Sequence, residues 1–240
     1  MTNYNKVFQR LEKKYMLTPE KFNILMDMLN GETESDEYGK YTICNLYLDT
    51  PDYSLIRASI EKPLYKEKLR IRSYGRANSD DKVFLELKKK FMGTVYKRRV
   101  SMPECEAEAY IKGGLVIGES SQILKEIDWT IKRYQPAPTV FLAYERMALK
   151  GIEDNNLRIT FDTDMRWRTE ELTLDSKSWG YPIIEGDNTL MEIKALGALP
   201  VWLTKILTEL EIFPCSFSKY GTCYKSFLSG LTIERGYTCA

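Results

Sequence analysis

The chain has 240 residues, of which 35 are lysine or arginine and 34 are aspartate or glutamate, so its formal net charge is only +1. It contains no histidine, which excludes Ser-His-Asp and Cys-His catalytic sites and any metal site with imidazole ligands. The length suffices for one large domain with a substantial core, and we expect a single domain over residues 1–240.

The first part of the chain is predicted to alternate strands with short helices. A strand over about residues 6–17 ends at Thr18-Pro19, where threonine can cap a helix and proline suits its first turn. The helix should continue to Gly31, and the acidic segment 31–40 is expected to be an exposed loop. Beyond it the patterns predict strands over 41–48, 64–74, 82–90 and 95–102, with a short helix over 53–61.

The second part should be built in the same way. A helical region begins at Pro103, and an amphipathic helix is predicted over 120–133. Strands are predicted over 139–150, 157–166, 171–174 and 189–196, followed by helices over 200–210 and 220–228. The fold class is therefore predicted to be α+β, with an antiparallel eight-stranded sheet that curls into a barrel or tunnel and helices packed on its outside.

Neither the cysteines nor the apolar segments suggest a secreted or membrane-spanning protein. The five cysteines are scattered and never form a CxxC pair, which argues against a disulfide framework and a thiolate zinc site. The first residues lack the hydrophobic core of a signal peptide, and no apolar run is long enough to cross a bilayer. We expect a cytoplasmic protein.

Several predicted strands carry a charged, mostly basic residue at every second position. The segments are FQRLEKKY, KLRIRSY, FLELKKK and LMEIKA. Because successive side chains of a strand point to opposite faces, each segment has one ionic and one apolar face. Lys89 and Arg98 fall on the face opposite to their basic neighbours. Charged faces are usually solvated, but here the apolar stripes of the helices need a surface to cover, which leaves the charged faces to line an interior.

An interior lined with cations favours a phosphate-rich ligand. Arginine presents a planar donor fork that matches phosphate oxygens, and lysine supplies a movable point charge. A divalent ion, Mg²⁺ or Mn²⁺, could be held by Glu192 with Glu12 or Glu86, and would bridge phosphate oxygens. The alternative for these acidic residues is a cross-strand ion pair, such as Arg10 with Glu12 or Glu86 with Lys88, of little energetic consequence.

Seven segments in order resemble one known family. They are RLEKKY, YLDTPD, KLRIRSYG, FLELKKK followed by YKRRV, LRITFDTD, LMEIKA and FSKYGTCY. Together they resemble the VTC domain of polyphosphate polymerases, which belongs with the CYTH-type enzymes to the triphosphate tunnel metalloenzymes. The resemblance covers nearly the whole chain.

The resemblance implies an antiparallel β-tunnel that binds a nucleoside triphosphate and a divalent metal, commonly manganese, and transfers the γ-phosphate to a growing polyphosphate. It places a set of basic residues on the phosphate chain, namely Lys14, Arg70, Arg72, Lys88, Lys97, Arg146, Arg158 and Lys219. It makes Glu192 the metal ligand, and Tyr144 and Ser218 supporting phosphate contacts. The further substrate-binding candidates, which share strand faces with these residues, are Arg10, Arg99 and Lys194.

The favoured hypothesis is thus an ATP:polyphosphate phosphotransferase whose ligands are ATP and inorganic polyphosphate or triphosphate. The first alternative keeps the fold but makes water the acceptor, giving a metal-dependent triphosphatase that acts on inorganic triphosphate or an RNA 5′ end. The second is a non-catalytic polyphosphate or nucleotide-binding module. Nucleic-acid binding is not expected, because the basic residues alternate with strand-core residues instead of forming an exposed patch with stacking aromatics.

Overall fold

A computed structural model of the chain describes residues 10–61, 63–92, 94–113 and 121–230. In these ranges the strands are β1 (Arg10–Leu17), β2 (Thr33–Asp49), β3 (Tyr65–Tyr74), β4 (Lys82–Phe91), β5 (Thr94–Pro103), β6 (Ala137–Gly151), β7 (Arg158–Arg168), β8 (Tyr181–Pro182) and β9 (Thr189–Leu196). The helices are α1 (Pro19–Leu29), α2 (Ser54–Ile60), α3 (Glu104–Ile111), α4 (Gln122–Tyr134), α5 (Val201–Glu209) and α6 (Lys219–Cys223), the last followed by a π-helical segment, Tyr224–Leu228.

The strands form one sheet in the order β1-β9-β7-β6-β2-β3-β4-β5, and the short β8 pairs with β7. Every strand pair whose register is defined is antiparallel. The predicted α+β class with eight main antiparallel strands is confirmed. The predicted closure into a barrel is not found within the described residues, because β1 and β5 each have one neighbouring strand and the hydrogen-bonded order is open at these two strands.

The chain divides into two compact units. The first comprises residues 1–41, 145–164 and 184–217, and the second comprises 42–144, 165–183 and 218–240. In the first unit α1 and α5 cover the apolar faces of β1, β7 and β9. Its buried core includes Leu17, Leu25, Phe161, Ile193 and Leu203, each at most 1% exposed.

In the second unit, α3 and α4 cover one face of β3, β4 and β5. Leu69, Leu85 and Leu87 of the strands are completely buried there, together with Ala107 of α3 and Ile127 of α4. The predicted packing of helices against the apolar strand faces is confirmed. Because strand side chains alternate, the charged residues between these leucines point to the face that the two helices do not cover.

The predicted cap of α1 is confirmed, and α4, which begins two residues after its predicted start, has a cap of the same kind. Thr18 Oγ1 accepts a hydrogen bond from the backbone N–H of Lys21 at 3.4 Å and so caps α1. Ser121 Oγ accepts one from the N–H of Leu124 at 3.2 Å and caps α4. Of the predicted first strand, residues 6–9 lie outside the described residues.

Two local predictions are wrong. Residues 31–40 are not a loop, since β2 already begins at Thr33 and runs for 17 residues. Its first part is polar because it is largely exposed, so it carries no apolar alternation. Residues 171–174 are not a strand but an irregular segment.

A buried arginine organises that irregular segment. Arg168 is completely buried, and its guanidinium donates hydrogen bonds to the carbonyl oxygens of Glu170 and Glu171 at 3.0 Å each and to that of Trp179 at 2.7 Å. It also lies 3.6 Å from the ring centroid of Phe141. The segment therefore folds around one cation that satisfies its carbonyl groups.

The other predictions from composition concern cysteines and membrane spans. The described cysteines Cys44, Cys105, Cys215 and Cys223 are free thiols, and Cys239 lies outside the described residues. Across the described ranges, every helix is too short or too polar to reach from one side of a bilayer to the other.

Candidate functional site

In the second unit three arginines surround one glutamate on the charged face of β3, β4 and β5. Glu86 lies between Arg70 and Arg99 in the strand register. Arg70 Nη2 is 2.7 Å from Glu86 Oε2, Arg99 Nε donates to Oε1 at 2.8 Å, and Arg72 Nε is 3.8 Å from Oε2. Burial alone would raise the pKa of Glu86, but the charges of Arg70 and Arg72 and the Arg99 hydrogen bond lower it to about 2. The cluster therefore keeps an excess of positive charge.

Next to this cluster, three lysines form a row across the same strands. Lys68 of β3 lies opposite Lys88 of β4, which in turn lies opposite Lys97 of β5. Lys68 Nζ also donates to Ser218 Oγ at 3.2 Å. Like charges directly opposite one another destabilise a sheet. A row of three lysines is therefore an arrangement that a bound anion would stabilise.

Polar residues of β2 hold the arginines in place, and sequence reasoning missed them. Arg72 Nε donates to Asn45 Oδ1 at 3.0 Å, and Arg70 Nη1 donates to Tyr47 Oη at 3.1 Å. Asn45 in turn donates to the carbonyl oxygen of Leu142 at 3.2 Å. Burial would raise the pKa of Tyr47, but Arg70, Arg72 and Lys219 lower it overall. The sequence signal was the alternation of Asn45, Tyr47 and Asp49 within an otherwise apolar strand.

The predicted residues Tyr144, Ser218 and Lys219 also belong to the second unit. Lys219 Nζ lies 4.2 Å from the ring centroid of Tyr144, a cation–π distance. Ser218 caps α6 by accepting a hydrogen bond from the Gly221 N–H at 3.2 Å. Tyr220, the second residue of α6, anchors this helix, because its ring stacks on that of Tyr47 with centroids 4.5 Å apart.

Tyr220 is fixed from its other end by a buried carboxylate. Its hydroxyl donates to Asp49 Oδ2 at 2.9 Å. Asp49 is completely buried and also accepts hydrogen bonds from the N–H groups of Thr50 and Leu55 at 2.8 Å and of Ile56 at 3.0 Å. Burial raises the pKa of Asp49, although these hydrogen bonds oppose the rise. The YLDTPD segment thus positions α6 and the start of α2.

In the first unit, one glutamate lies between two lysines. Lys14 of β1 is directly opposite Glu192 of β9, with Nζ 3.7 Å from Oε2, and Lys194 Nζ is 2.5 Å from Oε1. Lys14 Nζ also donates to the carbonyl oxygen of Phe217 at 2.9 Å. Burial would raise the pKa of Glu192, but Lys194, Lys14 and Arg146 lower it to about 2. Glu192 is therefore ionised at neutral pH.

Both predicted phosphate-binding arginines of the first unit are bound to aspartates that sequence reasoning did not identify. Arg146 makes a two-pronged contact with Asp162, from Nε at 2.6 Å and from Nη2 at 2.8 Å. Arg158 Nη2 donates to Asp36 at 2.9 Å. Arg158 also lies in register with Lys194, and Lys194 in register with Glu12.

Arg10 pairs through its backbone with Leu196, and its side chain lies outside the described residues. Asp36 had no sequence signal of its own, and Asp162 lies in the segment LRITFDTD but was assigned no role. Asp36 lies in a segment predicted to be a loop, and Asp162 faces Arg146 across a pairing that the pattern alone does not specify. The structure thus assigns partners to residues for which the sequence indicated only a charge.

The carboxylates of the two units differ in how well they suit a divalent metal ion. No group of three or more His, Cys, Asp or Glu residues within the described ranges is arranged to hold a metal ion. Mg²⁺ is often held by one or two carboxylates together with phosphate oxygens, and ionised Glu192 suits that mode. Both oxygens of Glu86 are bound by arginines, so its contacts match the ion-pair alternative better than a metal ligand.

The opposite face of β4 and β5 provides an internal comparison. Lys89 and Arg98 lie on the face that α4 covers, and both contact Glu126 of that helix, at 3.4 Å and 3.1 Å. Their predicted orientation, away from Lys88 and Arg99, is confirmed. Lys89 and Arg98 are therefore suitable control residues, because they belong to the same strands but take no part in the clusters described above.

A sequence model of the VTC domain family matches residues 9–228 of the chain. Among characterised proteins, subunit 4 of the vacuolar transporter chaperone complex from Trypanosoma brucei brucei is 26% identical over 218 residues. The alignment covers 74% of this chain and 27% of that protein. The chain therefore spans about a quarter of the length of this relative.

Two solved structures share the fold over almost their whole length. A Bacillus halodurans protein described as an adenylate cyclase has a TM-score of 0.57 at 16% identity, covering 91% of this chain and 97% of its own. A Hippeastrum protein, described as an adenylyl cyclase with a dominant triphosphatase activity, has a TM-score of 0.53 at 19% identity, covering 92% and 96%. At these identities the likeness establishes a common fold.

Proposed function

The chain belongs to the VTC domain family, and we propose that it is a metal-dependent phosphotransferase that moves the γ-phosphate of ATP to the end of an inorganic polyphosphate chain. The observation that supports this most is the lysine row of Lys68, Lys88 and Lys97 beside the arginine cluster. Three lysines directly opposite one another concentrate positive charge, which a chain of phosphates would match along its length.

The basic residues of both units are proposed to bind phosphate oxygens. Arginines held by fixed partners lose little side-chain entropy on binding, so Arg70 and Arg72, held by Tyr47 and Asn45, suit a positioning role. The proposed phosphate-binding set is Lys14, Arg70, Arg72, Lys88, Lys97, Arg146, Arg158 and Lys219, with Arg10, Arg99, Lys194, Tyr144 and Ser218 as supporting contacts.

We propose Glu192 as the protein ligand of a divalent cation, Mg²⁺ or Mn²⁺, with Glu12 on the neighbouring strand as a second carboxylate. The register places Glu12 two residues before Lys14, which lies opposite Glu192. When bound, the metal would neutralise charge on the phosphate oxygens. Lys14 and Lys194, which contact Glu192, would then be available to the phosphates.

No protein base is required for this transfer. The terminal phosphate of the acceptor is already anionic at neutral pH, so the protein needs only to align acceptor and donor and to stabilise the charge that develops. This agrees with a chain that contains no histidine.

The test is product analysis with purified protein, ATP and either Mg²⁺ or Mn²⁺. The proposal expects polyphosphate chains that lengthen with time, with ADP released in step, and loss of both in Glu192→Gln. Glu126→Gln is the matched control, because Glu126 also binds two cations, on the face that α4 covers. Absence of polyphosphate together with ADP release that Glu192→Gln does not change would contradict the proposal.

A triphosphatase is the second candidate, supported by the triphosphatase activity ascribed to the Hippeastrum protein with the same fold. Two carboxylates on adjacent strands, Glu12 and Glu192, could hold a metal that activates water. The products distinguish the candidates, since orthophosphate without chain growth means that water is the acceptor. Tight binding of triphosphate without turnover in either metal would favour the third candidate, a binding module.

A further inference from the structure

The second unit carries an exposed apolar surface where β3 begins and where β4 meets β5. This hairpin-tip surface consists of Leu64, Tyr65, Phe91, Met92, Tyr96 and Trp129. Leu64 is 75% exposed and Met92 is 69% exposed. Tyr65, Phe91, Tyr96 and Trp129 are each more than 40% exposed. Soluble proteins rarely expose so many large apolar side chains together unless the surface binds something.

These six residues form one continuous surface. The N–H of Met92 donates to the carbonyl oxygen of Leu64 at 2.9 Å, which joins the two most exposed residues. Tyr65 lies opposite Phe91 in the strand register, with ring centroids 6.4 Å apart. Lys89 links the remaining two, since it lies opposite Tyr96 and its Nζ is 5.8 Å from the ring centroid of Trp129.

The surroundings of this surface are strongly basic. Residues 88–98 contain five basic residues and no acidic one. Lys66 of β3 lies opposite the exposed Lys90, and the guanidinium of Arg133 is 5.0 Å from the ring centroid of Trp129. Exposed cations thus accompany the exposed apolar side chains.

Two acidic side chains that contact residues of this surface are themselves held by partners. Glu126 is bound by both Lys89 and Arg98. Glu67 is 3% exposed and accepts hydrogen bonds from the Tyr65 hydroxyl and, at 3.2 Å, from Thr130 Oγ1. Glu126 thus leaves one net positive charge on its pair of cations, and Glu67 is hidden from solvent.

We propose that the hairpin-tip surface binds the surface of an anionic lipid bilayer. The two most exposed residues are a leucine and a methionine, which suit the acyl boundary. Next to them are aromatic rings, which favour the headgroup level, and then the exposed Lys90 and Arg133, which attract anionic headgroups. A protein partner would have to supply matching acidic groups, whereas anionic lipids supply them at every position.

The proposal is separate from the phosphate-binding role. Tyr65, Phe91 and Tyr96 lie on the strand face opposite to that of Lys88 and Lys97. The basic residues Lys66 and Lys90 share the face of Lys88, but neither they nor the residues of the surface are proposed to act in phosphate transfer. Activity on soluble ATP should consequently be independent of bilayer binding.

The experiment is co-sedimentation of the purified full chain with phosphatidylcholine vesicles, with and without phosphatidylserine. The test variant is Leu64→Ser with Met92→Ser. The matched control is Val201→Ser with Phe213→Ser, because these residues of the first unit are 70% and 73% exposed.

We expect the unaltered protein and the control variant to bind phosphatidylserine vesicles. The test variant should bind them at least about tenfold more weakly, because it lacks two apolar side chains that the bilayer would bury. Lys90→Gln should weaken binding further, and added salt should do the same.

Several outcomes would overturn the proposal. Failure of the unaltered protein to sediment with phosphatidylserine vesicles is one, and equal binding by the test and control variants is another. Self-association that Leu64→Ser with Met92→Ser abolishes, without any vesicle binding, would instead assign the surface to a second copy of the chain. Turnover of soluble ATP by the test variant, measured in parallel, shows that the variant is folded and keeps this question apart from that of the phosphotransferase.

Discussion

Arg98 and Arg99 are consecutive residues of β5, yet their guanidinium groups bind glutamates on opposite faces of the strand. Arg98 contacts Glu126 of α4 at 3.1 Å, and Arg99 Nε donates to Glu86 of β4 at 2.8 Å. The two residues have the same chemistry and nearly the same position in the chain. A comparison of the two residues therefore distinguishes a cation of the proposed phosphate site, Arg99, from a cation that contacts the packed helix α4, Arg98.

Replacing these two arginines should have different effects on catalysis. Arg99→Ala should lower kcat/KM for ATP by about tenfold or more, since a charge-assisted hydrogen bond to phosphate is worth about 1.5–3 kcal/mol. Arg98→Ala should leave kcat/KM within about twofold, because Arg98 contacts Glu126 of α4 on the face opposite to the proposed phosphate site. Steady-state kinetics on both variants provides the comparison, and equal losses would count against the assigned face.

The lysine row should respond to anions in a recognisable way. Lys97→Ala removes one of the three lysines of the row, and its melting temperature in phosphate-free buffer gives the reference value. The same change should reduce the rise in melting temperature that tripolyphosphate produces. Lys89→Ala serves as the control, and an undiminished tripolyphosphate effect in Lys97→Ala would contradict the site.

The pH dependence of stability should reveal Glu86. Its pKa of about 2 lies below the ordinary value of 4.5, so its stabilising contribution is complete above pH 4.5 and is lost as pH falls toward 2. The contribution is on the order of 3 kcal/mol. Denaturant unfolding of the protein and of Glu86→Gln should show a difference in unfolding free energy that shrinks between these pH values. A difference that stays constant over this range would mean that Glu86 is not ionised in a cation cluster.

Asp49 should be among the residues most costly to truncate. Asp49→Ala would leave the N–H groups of Thr50, Leu55 and Ile56 and the Tyr220 hydroxyl without their acceptor. We expect a loss of about 3–5 kcal/mol in the free energy of unfolding, measured by urea denaturation. Asp52→Ala, which removes a largely exposed carboxylate of the same segment, should cost less than about 1 kcal/mol.

The alternation of charged and apolar residues along the strands accounts for what could be predicted about the site. In β3, β4 and β5 it correctly assigned Arg99 and Arg98, and likewise Lys88 and Lys89, to opposite faces of the sheet. The assignment is reliable there because helices cover one face, so that a shift of register by one residue would bury charged side chains. It did not identify Tyr47 or Asn45, because that part of β2 is buried on both faces and its alternation of Asn45, Tyr47 and Asp49 contains no basic residue.

The wrong predictions have long-range causes. The exposed start of β2 is a strand only because neighbouring strands pair with it, so its acidic sequence resembled a loop. The segment 171–174 is ordered by the guanidinium of Arg168 instead of by a neighbouring strand. Contacts between residues that are distant in the sequence leave no local pattern. The carboxylate partners of Arg146 and Arg158 could not be predicted for the same reason.

The contact between Asp49 and Tyr220 also constrains how the protein is made. The two residues are 171 positions apart in the chain, so the ribosome exposes the carboxylate long before it synthesises the hydroxyl that binds it. Until then Asp49 must stay hydrated, and the strand that carries it cannot reach its final buried state. The second unit can therefore complete its folding only after residue 220 has been synthesised.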